Sequence, residues 1–126
     1  MAEKRIEIAD ESGRITIAEE VISSIARIAA ERVTGIARSS GASGGLKGIF
    51  SGEDPAPNVK LELANDQARI ELRIAVEYGY PVHSVARAVQ ESVEVDIEKL
   101  AGVAVSSVDV YVKRVVPPQR HDTGTS

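Results

Sequence analysis

The chain contains no cysteine and no tryptophan. Without cysteine there is no disulfide, no thiolate metal site and no thiol nucleophile to consider. Aromatic residues make up 3% of the sequence, namely Phe50, Tyr78, Tyr80 and Tyr111. A base-stacking platform for nucleic acid needs more rings than that. Positive charge is also short: the formal net charge is −4, so no basic footprint favours a polyanion. No apolar run reaches the ~18 residues that span a bilayer. The opening stretch, MAEKRIEIAD, lacks the long apolar core of a signal peptide. Together these absences point to a cytoplasmic chain with no nucleic-acid partner and no direct membrane insertion. Any attachment to the inner face of a membrane would run through another protein.

What the chain does have is aliphatic residues: 43% of its 126 residues are hydrophobic. That is enough for one domain with a real core. Residues 1–12 form an N-terminal segment, either a short strand through Ile6 and Ile8 or a frayed end. The stretch RITIA then reads as a short strand. Next, EEVISSIARIAAERVTG reads as a helix whose apolar stripe is Val21, Ile22, Ile25, Ala29 and Val33. Thr16 and Glu19 have capping-box spacing, and Gly35 is placed to end the helix in a left-handed conformation. The Ala-rich side, with Ala26, Ala29 and Ala30, suits close packing within the molecule.

Residues 39–58 break every pattern, with Gly41, Gly44, Gly45, Gly48 and Gly52 followed by Pro55 and Pro57. This reads as a long mobile loop. A hairpin follows. Val59, Leu61 and Leu63 alternate with polar neighbours, ANDQ turns the chain, and Ile70, Leu72, Ile74, Val76 and Tyr78 alternate again. Strict period two indicates a sheet with one dry and one wet face. PVHSVARAVQESVEVDIEKLAG is a second helix with a stripe of Val82, Val85, Ala86, Val89, Val93, Ile97 and Leu100. Pro81 fits its first turn and Gly102 its end. The last strand, VAVSSVDVYVKRVV, changes phase at Ser106–Ser107, the mark of a bulge or bend. Residues 117–126 read as a disordered polar tail. The expected fold is α+β, a two-layer sandwich with two amphipathic helices on one face of a small mixed or antiparallel sheet. The order is strand–helix–strand–strand–strand–helix–strand, and residues 13–116 form the domain. A strand–helix–strand unit repeats weakly within it.

Taken in order, GRITIAEEVISSIARIAAERVTGIA, a Gly-rich loop, ELRIAVEYGYPVHSVARAVQESV and LAGVAVSSVDVYVKRV resemble the alkaline shock protein family. The likeness covers residues 13–116. It rests on a helix closing on TG, a V-x-Y-G strand end, a helix holding V-Q-x-x-V and a final V-x-V-x-V strand. The resemblance implies a non-enzymatic protein of cell-envelope homeostasis and envelope stress, found mainly in Gram-positive bacteria. It further implies a homo-oligomer and a membrane-anchored partner protein. It supplies no catalytic residues to carry over.

The residues that invite chemistry have plainer readings. His83 and Ser84 are adjacent, so on a helix they point roughly 100° apart and do not converge. No G-x-S-x-G elbow exists. Glu94 to Glu98 lacks the glycine of a Ca²⁺ loop, and no metal site or cofactor is expected. Residues 41–48, GASGGLKG, offer glycines and Lys47 to an anion, but the order is not that of a phosphate-binding P-loop. A small-molecule or nucleotide site there is the alternative function. RNA binding rests on fold analogy alone. The candidate interaction surface is the outer side of the long strand and its end: Arg69, Glu71, Arg73, Glu77, Tyr78 and Tyr80.

Overall fold

The computed structural model describes residues 5–38 and 55–118. Five strands and two helices follow in the order β1 (Arg5–Asp10), β2 (Gly13–Ala18), α1 (Glu19–Glu31), β3 (Asn58–Ala64), β4 (Gln67–Glu77), α2 (Val82–Asp96) and β5 (Ala104–Val116). The five strands divide between two sheets, one of β1 and β2 and one in the order β3–β4–β5. The segment at 5–10 is therefore a strand, with Ile6 opposite Ile17 and Ile8 opposite Ile15. The short strand expected after the first helix is reduced to one antiparallel bridge, Ile36 with Val76. The internal repeat does not survive: β2 and β3 lie in different sheets, whereas β4 and β5 are parallel neighbours joined by α2. Most of the Gly-rich stretch and the tail beyond Pro118 lie outside the described residues.

Strand β4 organises the larger sheet. Ala68, Ile70, Leu72, Ile74 and Val76 are fully buried, while Arg69, Glu71 and Arg73 between them are exposed. Period-two patterning forces this division, because successive side chains leave opposite faces. β3 reaches β4 through a two-residue turn in which Asn65 (φ 54°) and Asp66 (φ 64°) both adopt left-handed backbone. That is the type I′ hairpin turn, whose twist matches the strands and which Asn and Asp tolerate best among residues with a Cβ. On the other side, β5 pairs in parallel with β4, with register shifts beside Ser106 and beside Lys113. The first is the bulge expected from the serine pair. It returns Val105 and Val108 to the same face, opposite Ala68 and Ile70.

Both helices pack on the aliphatic face. α1 buries Ile22, Ala26, Ala29 and Ala30, with Ile25 and Val33 partly buried. Of the expected stripe, Ile22, Ile25, Ala29 and Val33 face the core and Val21 does not, being 47% exposed; Ala26 and Ala30 join the contact. Small side chains let α2 approach closely enough for Ser92 Oγ to donate a 3.0 Å hydrogen bond to Ala29 O. No side chain caps the start of α1; its N-cap is Ala18, and Thr16 is held in β2 opposite Glu7. α2 buries Val85, Val89 and Val93, and Ile97 is buried just beyond it. Val82 and Leu100 are exposed instead. The helix widens into a π-helical turn at Ile97–Ala101 before Gly102 stops it with φ 70°. A wider turn shifts the angular phase, so Ala101 packs against the core and Leu100 points out.

The stretch YGYP is a joint. Tyr78 N donates to Val116 O at 2.7 Å, Glu77 N donates to Gly35 O at 2.8 Å, and Val85 N donates to Pro81 O at 3.0 Å. The first ties the end of β4 to that of β5, the second ties β4 to the segment leaving α1, and the third closes the first turn of α2. Gly35 is not the immediate cap of α1, which ends at Glu31. Its glycine is required for another reason. Its φ is +97°, and an added Cβ would lie 2.9 Å from Tyr80 Cγ and 2.9 Å from Val85 Cγ2.

Two substitutions should report on this packing. Gly35→Ala forces both the backbone and a contact, and should lower unfolding free energy by about 1–3 kcal/mol. Ala29→Leu overpacks the α1–α2 crossing and should cost a similar ~1–3 kcal/mol. Urea denaturation measures both. An unchanged midpoint for either would show that the corresponding contact is looser than the geometry here.

Candidate functional site

The outer face of the larger sheet is built by register. Reading across β3, β4 and β5, one row is Glu62, Arg69 and Ser107; the next is Lys60, Glu71 and Asp109; the third is Asn58, Arg73 and Tyr111. Alternation along three strands brings these residues to one surface because the opposite positions are committed to the core. Of the expected surface residues, Arg69, Glu71 and Arg73 share this face, exposed. Glu77 stands at its end, partly buried, with its N–H bonded to Gly35. Tyr78 and Tyr80 lie past the strand. Tyr78 is 72% exposed, whereas Tyr80 sits against Gly35. The two tyrosines therefore do different things: Tyr80 covers a close approach of backbone, and Tyr78 is presented to solvent.

The guanidinium of Arg73 lies over the Tyr111 ring, with its central carbon 5.0 Å from the centroid. A cation over the electron-rich ring face is attracted by about 0.5–1 kcal/mol at an exposed site. Lys60, Glu62, Arg69 and Glu71 alternate in sign, as a surface of cross-strand ion pairs would, yet no pair among them closes to within 4.0 Å. Glu71 has Asp109 beside it in register. Two neighbouring carboxylates leave this part of the surface acidic. Asp109 and Tyr111 were absent from the surface expected on β4. Their signal was the V-D-V-Y-V alternation of the last strand, whose polar phase becomes assignable once its valines are placed inward.

An open groove of about 760 Å³ runs around the β3 edge, between Glu19 and Ser23 of α1 and Lys60, Glu62, Arg69, Glu71 and Asp109 of the sheet. Consecutive residues of β3 line it although they point to opposite faces, so it is a surface trough around an edge and not an enclosed pocket. A smaller one of about 420 Å³ lies between α2 and the edge of β5. His83 and Ser84 are both exposed, at the first turn of α2, and no hydrogen bond joins them among the described contacts. The described residues contain no group of three or more His, Cys, Asp or Glu that could hold a metal ion. No described helix is long and apolar enough to cross a membrane. The possible anion site at 41–48 lies outside the described residues.

Comparison with known proteins places this geometry in a lineage. The model of the alkaline shock protein 23 family, described by its cell envelope-related function, matches residues 7–117. The uncharacterized protein YloU of Bacillus subtilis (strain 168) is 33% identical over 113 residues, covering 87% of this chain and 94% of YloU. The uncharacterized protein YqhY of the same organism is 30% identical over 101 residues, covering 79% of this chain and 75% of YqhY. Among solved structures, a variant of the domain designated MamM-CTD superposes with a TM-score of 0.51 at 18% identity, covering 75% of this chain and 95% of that one. A copper form of the same domain gives the same TM-score and identity. At that identity the likeness concerns the fold. The match to the family model over nearly the whole described chain carries more: this chain belongs to the alkaline shock protein family, a family of cell envelope-related function.

Proposed function

We propose that this protein serves the cell envelope by binding other proteins and copies of itself, without catalysing a reaction. In this reading it is a cytoplasmic envelope-stress protein held at the inner face of the membrane by a separate anchor protein. One observation carries the reading. The charged outer face of the sheet, with Arg69, Glu71, Arg73, Asp109 and Tyr111, is left uncovered by both helices, whereas the grooves are open troughs. A large, mixed-charge, solvent-facing sheet surface suits recognition of another protein, where complementary charge sets partner choice and encounter rate. Catalysis needs groups that converge on one point.

Light scattering of the full chain across a concentration series should show growth from monomer to larger species. Affinity capture from the host's membrane fraction should recover an integral membrane protein. Arg69→Glu with Arg73→Glu should reduce that recovery while lowering unfolding free energy by only about 1–2 kcal/mol, from the lost Arg73–Tyr111 contact and the like charge set opposite Glu62. A chain that stays monomeric at every concentration and recovers no membrane protein would overturn the reading. Recovery unaffected by the double substitution would move the contact off this face.

A further inference from the structure

Strand β5 forms one edge of the larger sheet, and its outward side is treated differently along its length. Near its start, Glu98 Oε2 accepts a 3.2 Å hydrogen bond from Val105 N, and Gln90 Nε2 donates a 2.9 Å bond to Val108 O. Side chains of α2 and the π-helical turn thus satisfy the edge there. From Ser107 to Val112 the pairing with β4 is continuous. N–H and C=O groups alternate sides along a strand, so those of Val110 and Val112 point the same way as Val108 O, away from β4. No described side chain bonds them. An extended edge with free backbone groups is a template for another strand.

We propose that residues 109–113 of β5 pair antiparallel with the same residues of a second copy, about a two-fold axis at Tyr111. This rests on the self-association proposed above and assigns it a surface. The sequence DVYVK, Asp109 to Lys113, is complementary to itself in that register. Val110 falls opposite Val112 of the second copy, and these are the residues whose backbone groups point outward. Asp109 falls opposite Lys113 of the second copy, on the outer face. The charge row Lys60, Glu71, Asp109 then gains a cation beside its two neighbouring carboxylates. Centring the axis on Val110 sets Asp109 against Tyr111, and centring it on Val112 sets Lys113 against Tyr111; neither brings a cation to Asp109. On the helix side, the half-buried Val110 and Val112 meet across the axis and lose water. The register shift beside Lys113 and the Gln90 cap at Val108 bound the ladder at both ends. The contact is isologous and closed. It doubles the three-stranded sheet and leaves the outer face continuous across both copies.

The test is sedimentation equilibrium of the full chain and four variants. Val110→Pro removes one outward N–H, which an edge strand tolerates, and should abolish the dimer while leaving the circular dichroism spectrum unchanged. Asp109→Lys alone and Lys113→Asp alone each set like charges opposite one another twice, and each should weaken dimerisation about tenfold or more. The double substitution restores opposite charges and should recover most of that loss. This recovery separates pairing from misfolding, because a merely damaged strand would not be rescued by a second change. If the chain associates but the single charge variants and Val110→Pro associate equally well, the β5 contact is overturned while self-association stands. Failure of the double substitution to improve on the singles also overturns this register. A chain that is monomeric throughout overturns both readings.

Discussion

Strand β4 is bonded along both sides and divided between its two faces, and the other elements take their places from it. On one side it bonds β3 and, beyond the end of β3, the bridge at Ile36; on the other it bonds β5 over its whole length. One face carries five fully buried side chains beneath the helices, and the other carries Arg69, Glu71 and Arg73 in water. A shift of one residue would exchange these sets, burying guanidinium and carboxylate groups without partners at a cost of several kcal/mol each. That penalty locks the strand, and the locked strand fixes which residues of β3 and β5 share the exposed face.

The second constraint is the closeness of the two helices. Ala26, Ala29 and Ala30 give α1 a nearly flat surface, and Ser92 bridges directly to the α1 backbone. Bulk is supplied from α2 by valines and Ile97. Small residues opposite large ones suit an interface packed as closely as protein interiors are. The same closeness recurs at Gly35, where backbone, Tyr80 and Val85 leave no room for a methyl group. The ion pair between Arg32 and Asp96 spans the two helices at 3.4 Å. Its Arg side chain is 69% exposed, so it adds little beside the packing.

The helices cover one face of the larger sheet and leave the other to solvent, with a polar pattern set by register. The edges are treated unequally: α2 and the π-helical turn tend the first half of β5 and leave the second. The family's envelope-related role therefore meets a scaffold whose distinctive features are an open charged face and an open strand edge.

Much of this was legible in the sequence. Period two over β4, the Asn65–Asp66 turn, the phase change at Ser106 and the stop at Gly102 are local signals, each fixed by backbone sterics or side-chain alternation, and each is present in the structure. Arg69, Glu71 and Arg73 were legible as one surface for the same reason. The buried side of α1 was legible except at Val21, which lies at the margin of its stripe and stays exposed. Other features depend on partners distant in sequence. The outward turn of Leu100 was decided by a π-helical turn, and the fate of Thr16 by strand pairing with Glu7. The division of the strands into two sheets, the placing of Arg73 over Tyr111 and the unequal care of the β5 edge also follow from tertiary contacts. Local patterning set which residues alternate and where the chain turns. Only packing between distant segments, where shape and hydrogen-bond satisfaction outweigh local propensity, decided which faces meet and which remain open.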